Sequence, residues 1–137
     1  MDAVIQSFLS GFPVLIGHFF LTLAFLAIGV AVYIMITPVR EVTLIRQDNR
    51  AAATSLGGAV VAMAIPLASA MASSVNALDI IVYGVVALGL QLACDVAAGL
   101  ILRNLSARIA KDEMAAAITL VSIKLGVSVI NAAALNA

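Results

Sequence analysis

The sequence predicts an all-α membrane protein with four transmembrane helices, built as two parallel two-helix repeats. Three observations carry this reading. Hydrophobic residues make up 64% of the 137 and charged residues 10%, with a mean hydropathy of +1.21, which is far more apolar than a soluble domain. The apolar residues fall into four runs, each long enough to cross a hydrocarbon core of about 30 Å. Six of the seven Lys and Arg residues are confined to two short stretches between those runs, Arg40, Arg46 and Arg50 in one and Arg103, Arg108 and Lys111 in the other. A β-barrel is excluded, because nothing alternates with period two over ten-residue segments.

The first span covers about residues 13–37, enough to cross a bilayer with some tilt at about 1.5 Å per residue. The residues before Pro13 contain no Lys or Arg, so the run is expected to be a span and not a cleaved signal peptide. The second span, about 51–73, is rich in small residues. Gly57, Gly58 and Ala62 mark it as a packing helix, because small side chains let backbones approach where lipid gives no hydrophobic drive. Pro66 is expected to kink it near its outer end, with a neighbouring helix satisfying the freed carbonyl.

A short link, 74–78, leads to a third span over about 79–102, and a second charged loop leads to a fourth over about 114–136. The domain organisation is thus one two-span unit over 1–73 and a second over 79–137. Asp48, Ala51, Ala52, Ala53 and Leu56 recur 64 residues later as Asp112, Ala115, Ala116, Ala117 and Leu120. Two spans per unit make the units parallel. The matched aspartates are expected to be N-caps of the spans that follow them. The positive-inside rule places both basic loops in the cytoplasm and both termini outside. Val42 and Ile45, like Leu105 and Ile109, recur at helical spacing, so each loop is either a short interfacial helix or a solvated connector. In both cases Arg40, Arg46, Arg50, Arg103, Arg108 and Lys111 are the candidate contacts for lipid or a partner.

The stretches Asn49-Arg50-Ala51-Ala52-Ala53, Leu56-Gly57-Gly58 and Pro66-Leu67-Ala68-Ser69, with Gln91 and Val129-Ile130-Asn131-Ala132-Ala133, resemble the YjfL-like family of bacterial inner-membrane proteins. The resemblance covers nearly the whole chain. It implies four spans as tandem two-span units and a bacterial inner-membrane location, and it supplies no reaction, since the family is a domain of unknown function. Glu113-Met114 stands where the first unit has Asn49-Arg50, so a role for Asn49 does not carry across both halves.

Two charges lie within apolar runs, Asp95 in the third and Lys124 in the fourth. Each would cost about 2.5–3.5 kcal/mol if left alone at mid-membrane. Gln91 shares the face of Asp95, and Ser128 and Asn131 continue the face of Lys124. Together these five residues define a candidate polar seam, with Asp95 and Lys124 expected to pair across antiparallel spans. The pair is either a structural lock on helix register or part of a proton or cation relay.

Other polar residues carry less. His18 reads as a lone interfacial imidazole, Cys94 has no partner for a disulfide or metal, and Asn76, Asp79, Asn131 and Asn136 gather at the outer level. No nucleophile, base and orienting group can be assembled, so no enzyme activity, cofactor or metal is expected. Zero net charge argues against a nucleic-acid partner. Two function classes remain. The sequence is read first as a homo-oligomeric membrane scaffold that presents basic cytoplasmic loops to lipid or a cytoplasmic protein, and the alternative is a proton or small-cation channel or transporter using the Asp95–Lys124 seam.

Overall fold

The computed structural model describes residues 2–37 and 41–136, so Arg40, one of the candidate contacts, and Pro38 lie outside the described residues. Every regular element among the described residues is helical. The order is α1 (Asp2–Ile36), α2 (Glu41–Arg46), α3 (Arg50–Ser73), α4 (Ala77–Ile101), α5 (Arg103–Ala110) and α6 (Met114–Leu135). Four of these, α1, α3, α4 and α6, are long and apolar enough to cross a membrane.

Three spans match their expected bounds to within two residues at either end. α1 does not. It begins at Asp2 with Pro13 inside it, because Gln6, Ser7 and Ser10 are compatible with a helix and Ser10 Oγ donates back to the Ser7 carbonyl at 3.1 Å. At 35 residues it is about 52 Å long, and from Val4 to Phe20 its large apolar residues are mostly exposed. Its contacts with the bundle come from Phe25, Leu26, Val30 and Tyr33.

The two polar stretches are the short helices α2 and α5, and both close in the same way. Asp48 N–H donates to the Ile45 carbonyl and Asn49 N–H to the Leu44 carbonyl. Asp112 N–H donates to the Ile109 carbonyl and Glu113 N–H to the Arg108 carbonyl. This is a Schellman closure, and the residue that turns left-handed in each is the aspartate, with φ of 61°. Asp tolerates that conformation better than most non-glycine residues.

The aspartates are therefore helix stops and not the expected N-caps. Asn49 caps α3, its Oδ1 accepting from Ala52 N–H at 2.8 Å, while Glu113 stands at the N-cap of α6 without a side-chain bond. Asp112 serves the other half of the chain, where its Oδ1 accepts from Ala51 N–H at 2.8 Å. Asn49 Nδ2 returns the link by donating to the carbonyls of Ile109 and Ala110.

α3 is the central helix. It packs on α1, α2 and α4 and most extensively on α6. A Cβ added to Gly58 would fall 2.5 Å from Val121 of α6, and one added to Gly29 would fall 2.7 Å from Leu88 of α4. Both glycines thus permit close helix approach within the chain. Ala62 is fully buried. Gly57 is exposed and an added Cβ would meet nothing within 4 Å, so it makes no close approach within the chain.

Pro66 is buried within α3 and cannot donate to the carbonyl of Ala62. That carbonyl accepts from Ser128 Oγ of α6 at 2.6 Å. A neighbouring span thus satisfies the group that proline frees, as the sequence predicts.

Candidate functional site

Polar residues do not fit freely into a bundle of this composition, and the positions that bury them show where the chain keeps a site. Among the described residues eight polar or charged ones are buried: Glu41, Asn49, Ser55, Gln91, Asp95, Lys124, Ser128 and Asn131. Asn49, Ser128 and Asn131 are bonded to backbone. Ser128 holds the Ala62 carbonyl, and Asn131 Nδ2 donates to the Ala87 carbonyl of α4 at 3.1 Å. The last two tie α6 to α3 and α4.

Of the remaining five, Lys124 and Glu41 bond to Tyr33, Ser55 bonds to Glu41, and Gln91 joins Asp95 to the Lys124 backbone. Lys124 Nζ of α6 donates to Tyr33 Oη of α1 at 2.7 Å and lies 4.6 Å from the centroid of its ring, a cation–π distance. Tyr33 Oη in turn donates to Glu41 Oε1 of α2 at 3.1 Å, and Ser55 Oγ of α3 donates to the same oxygen at 3.2 Å. An ammonium, a phenol and a carboxyl are thereby joined in one hydrogen-bonded chain. On the α4 side Gln91 Nε2 donates to Asp95 Oδ1 at 3.4 Å and reaches the Lys124 carbonyl at 3.5 Å.

Lys124 is thus bonded to Tyr33 and not to Asp95. The ion pair within 4.0 Å found among the described residues is Arg108 with Glu113, at the surface. Lys124 and Asp95 instead line one cavity of about 670 Å³, together with Tyr33, Thr37, Glu41, Ser55 and Arg103. The physical reason is reach. The phenol of Tyr33 comes within bonding distance of the ammonium, and Asp95 is held by Gln91 one turn away on its own helix.

Among the described residues Glu41 Oε2, Asp95 Oδ2, Gln91 Oε1 and Asn131 Oδ1 are buried and accept no bond, the first two on the cavity. Burial pushes the Glu41 carboxyl above its ordinary range, and the nearby Lys124 ammonium and the hydroxyls of Tyr33 and Ser55 only partly offset it. Among the described residues no three His, Cys, Asp or Glu side chains come together as metal ligands.

Of the expected seam, all five residues are buried, but they divide. Gln91, Asp95 and Lys124 belong to the cavity region, whereas Ser128 and Asn131 act as helix ties. Tyr33, Glu41 and Ser55 complete the network and carry no expectation from the sequence. A single tyrosine near the end of α1, in a stretch from Leu23 to Ile36 that is otherwise apolar, is the one signal pointing to them. The basic residues stay at the loop end, where Arg46, Arg50, Arg103 and Lys111 are exposed. Asn76 and Asp79 cap α4, Asn76 Oδ1 accepting from Asp79 N–H and Asp79 Oδ2 from Val75 N–H.

Four apolar helices around a buried polar network define an integral membrane protein with an internal site at its loop end. The chain belongs to the family described as Domain of Unknown Function (DUF350), which it matches over residues 7–135. It is 31% identical over 120 residues to the UPF0719 inner membrane protein YjfL of Escherichia coli (strain K12), covering 88% of this chain and 91% of that protein. The protein of the same name from Escherichia coli O157:H7 matches to the same extent. No solved structure matches the chain.

Proposed function

We propose that the chain is an inner-membrane protein that takes a proton or small cation from its loop side into a buried site, as part of a transport cycle. The observation that carries this reading is the bonded chain from Lys124 through Tyr33 to Glu41. A proton moving from the ammonium to the phenol oxygen, as the phenol proton passes to Glu41 Oε1, leaves a neutral amine and a neutral carboxyl. The reverse shift restores the charges, and the step needs no other reactant. Towards the opposite end the polar groups Ser128 and Asn131 are bonded to backbone carbonyls and continue no such chain. The site therefore opens to one side in this conformation, and transport requires a second conformation that opens the other.

The loops face the cytoplasm in this reading, with Arg46, Arg50, Arg103 and Lys111 at the head groups of the inner leaflet. The inner-membrane location follows the named relatives. The scaffold reading has less support, because the packing residues Gly58 and Ala62 are used between α3 and α6 of one chain and are not left for contact with further copies.

Purified protein in liposomes under an imposed potential tests the proposal. Proton or alkali-cation flux above that of protein-free liposomes is expected, with loss of flux in folded Lys124→Met and Tyr33→Phe variants. Parent protein that moves neither protons nor alkali cations would favour the scaffold.

A further inference from the structure

The same cavity also has the chemistry of a lipid site, and we propose that it binds the headgroup of a phospholipid bearing a primary ammonium, an aminophospholipid. This rests on the reading above in taking the cavity as an accessible site, and it shares Glu41 with the proton path through the carboxyl oxygen that the path leaves free. The first argument is the position of the opening. Ile36 of α1 and Val96 and Leu100 of α4 line the cavity and are also 44%, 42% and 60% exposed. The cavity wall therefore continues onto the lipid-facing side of the bundle, between α1 and α4.

The second argument is the pattern of unmet acceptors. Glu41 Oε2 and Asp95 Oδ2 are buried without a partner, on residues only 4% and 6% exposed. A buried acceptor left unmet is costly, and a donor that meets two of them gains binding energy. Lys124 does not fill this role, because among the described residues neither carboxyl lies within 4.0 Å of its ammonium. Two carboxylates face one ammonium inside, so the interior favours a further cation that has N–H groups.

The third argument is the rim. Arg103 lines the cavity at the start of α5 and is exposed, and a guanidinium pairs well with phosphate. An aminophospholipid places its ammonium, phosphate and acyl chains in that order. The ammonium meets the two carboxyls, the phosphate meets Arg103, and the acyl chains remain against Ile36, Val96 and Leu100. A cavity of about 670 Å³ is in the range of organic ligands and much larger than a bare ion.

The test is retention of three phospholipids of equal chain length by the purified full chain, read by native mass spectrometry. Phosphatidylethanolamine is expected to be retained about tenfold over phosphatidylcholine, whose trimethylated nitrogen has no N–H, and over phosphatidylglycerol, which has no amine. Glu41→Gln with Asp95→Asn should abolish the preference, and Arg103→Gln should weaken retention of phosphatidylethanolamine and phosphatidylcholine alike. Equal retention of all three would show a surrounding lipid layer, and a phosphatidylglycerol preference would place binding on the basic loops. Either result overturns the assignment, as does displacement of the lipid by equimolar hexylammonium. The comparison of lipids on the parent needs no variant to fold. Absent flux with this preference intact would count against the relay alone, whereas flux without the preference would count against the lipid site alone.

Discussion

Glu41 follows the end of α1 by five residues, and there one of its oxygens accepts from Tyr33 and Ser55 while the other accepts nothing. Burial raises its proton affinity above that of the unfolded chain. A carboxyl of this kind favours the folded state at low pH, and the advantage is lost as pH rises from the unfolded value of 4.5 to the raised folded value. The thermal midpoint of the parent is therefore expected to fall across that window more than that of Glu41→Gln, and parallel curves would contradict this. Lys124 acts in the opposite sense, as the ammonium that offsets both carboxylates. Lys124→Met should cost about 3–5 kcal/mol in a denaturant or thermal melt, and adding Asp95→Asn should recover much of the loss. A single variant as stable as the parent would show that the ammonium does not hold the network.

The elements meet by close approach and by capping, and each can be tested with its own control. Gly58 allows α3 to lie against Val121 of α6, whereas Gly57 one position away faces open space. Gly58→Leu should destabilise by about 1–3 kcal/mol through overpacking, and Gly57→Leu should stay within about 0.5 kcal/mol of the parent. Equal effects would remove the packing argument. Asn49 both caps α3 and holds the end of α5, so Asn49→Ala should cost about 1–2 kcal/mol. Asn49→Asp, which keeps the acceptor and loses the donor, should fall between parent and Asn49→Ala. The closures of α2 and α5 explain why the aspartates 64 residues apart match in sequence: both occupy the left-handed stop of a short helix. Sequence pattern alone marks the polar residue before Ala-Ala-Ala without telling a stop from a cap, since Asp suits either.

At the scale of the molecule, the four spans are legible because hydropathy is a local property of each run, and Asp95 and Lys124 stand out because charge in an apolar run is rare. Glu41, Tyr33 and Ser55 are not legible, because their bonds depend on the fold of the chain after α1, which brings α2 against α3. Glu41 in sequence is one more member of a charged loop. The network so assembled reaches from the loop end to Lys124, and the proposed access from that end alone is the central claim. Thiol accessibility tests it with two near-isosteric changes on a Cys94→Ala background. Ser55→Cys lies on the cavity, and Ser128→Cys lies where the side chain is fully buried against α3. A small membrane-impermeant thiol reagent should modify Ser55→Cys from the loop side alone and Ser128→Cys from neither side. Modification of Ser55→Cys from the opposite side, or of Ser128→Cys from either, would contradict it.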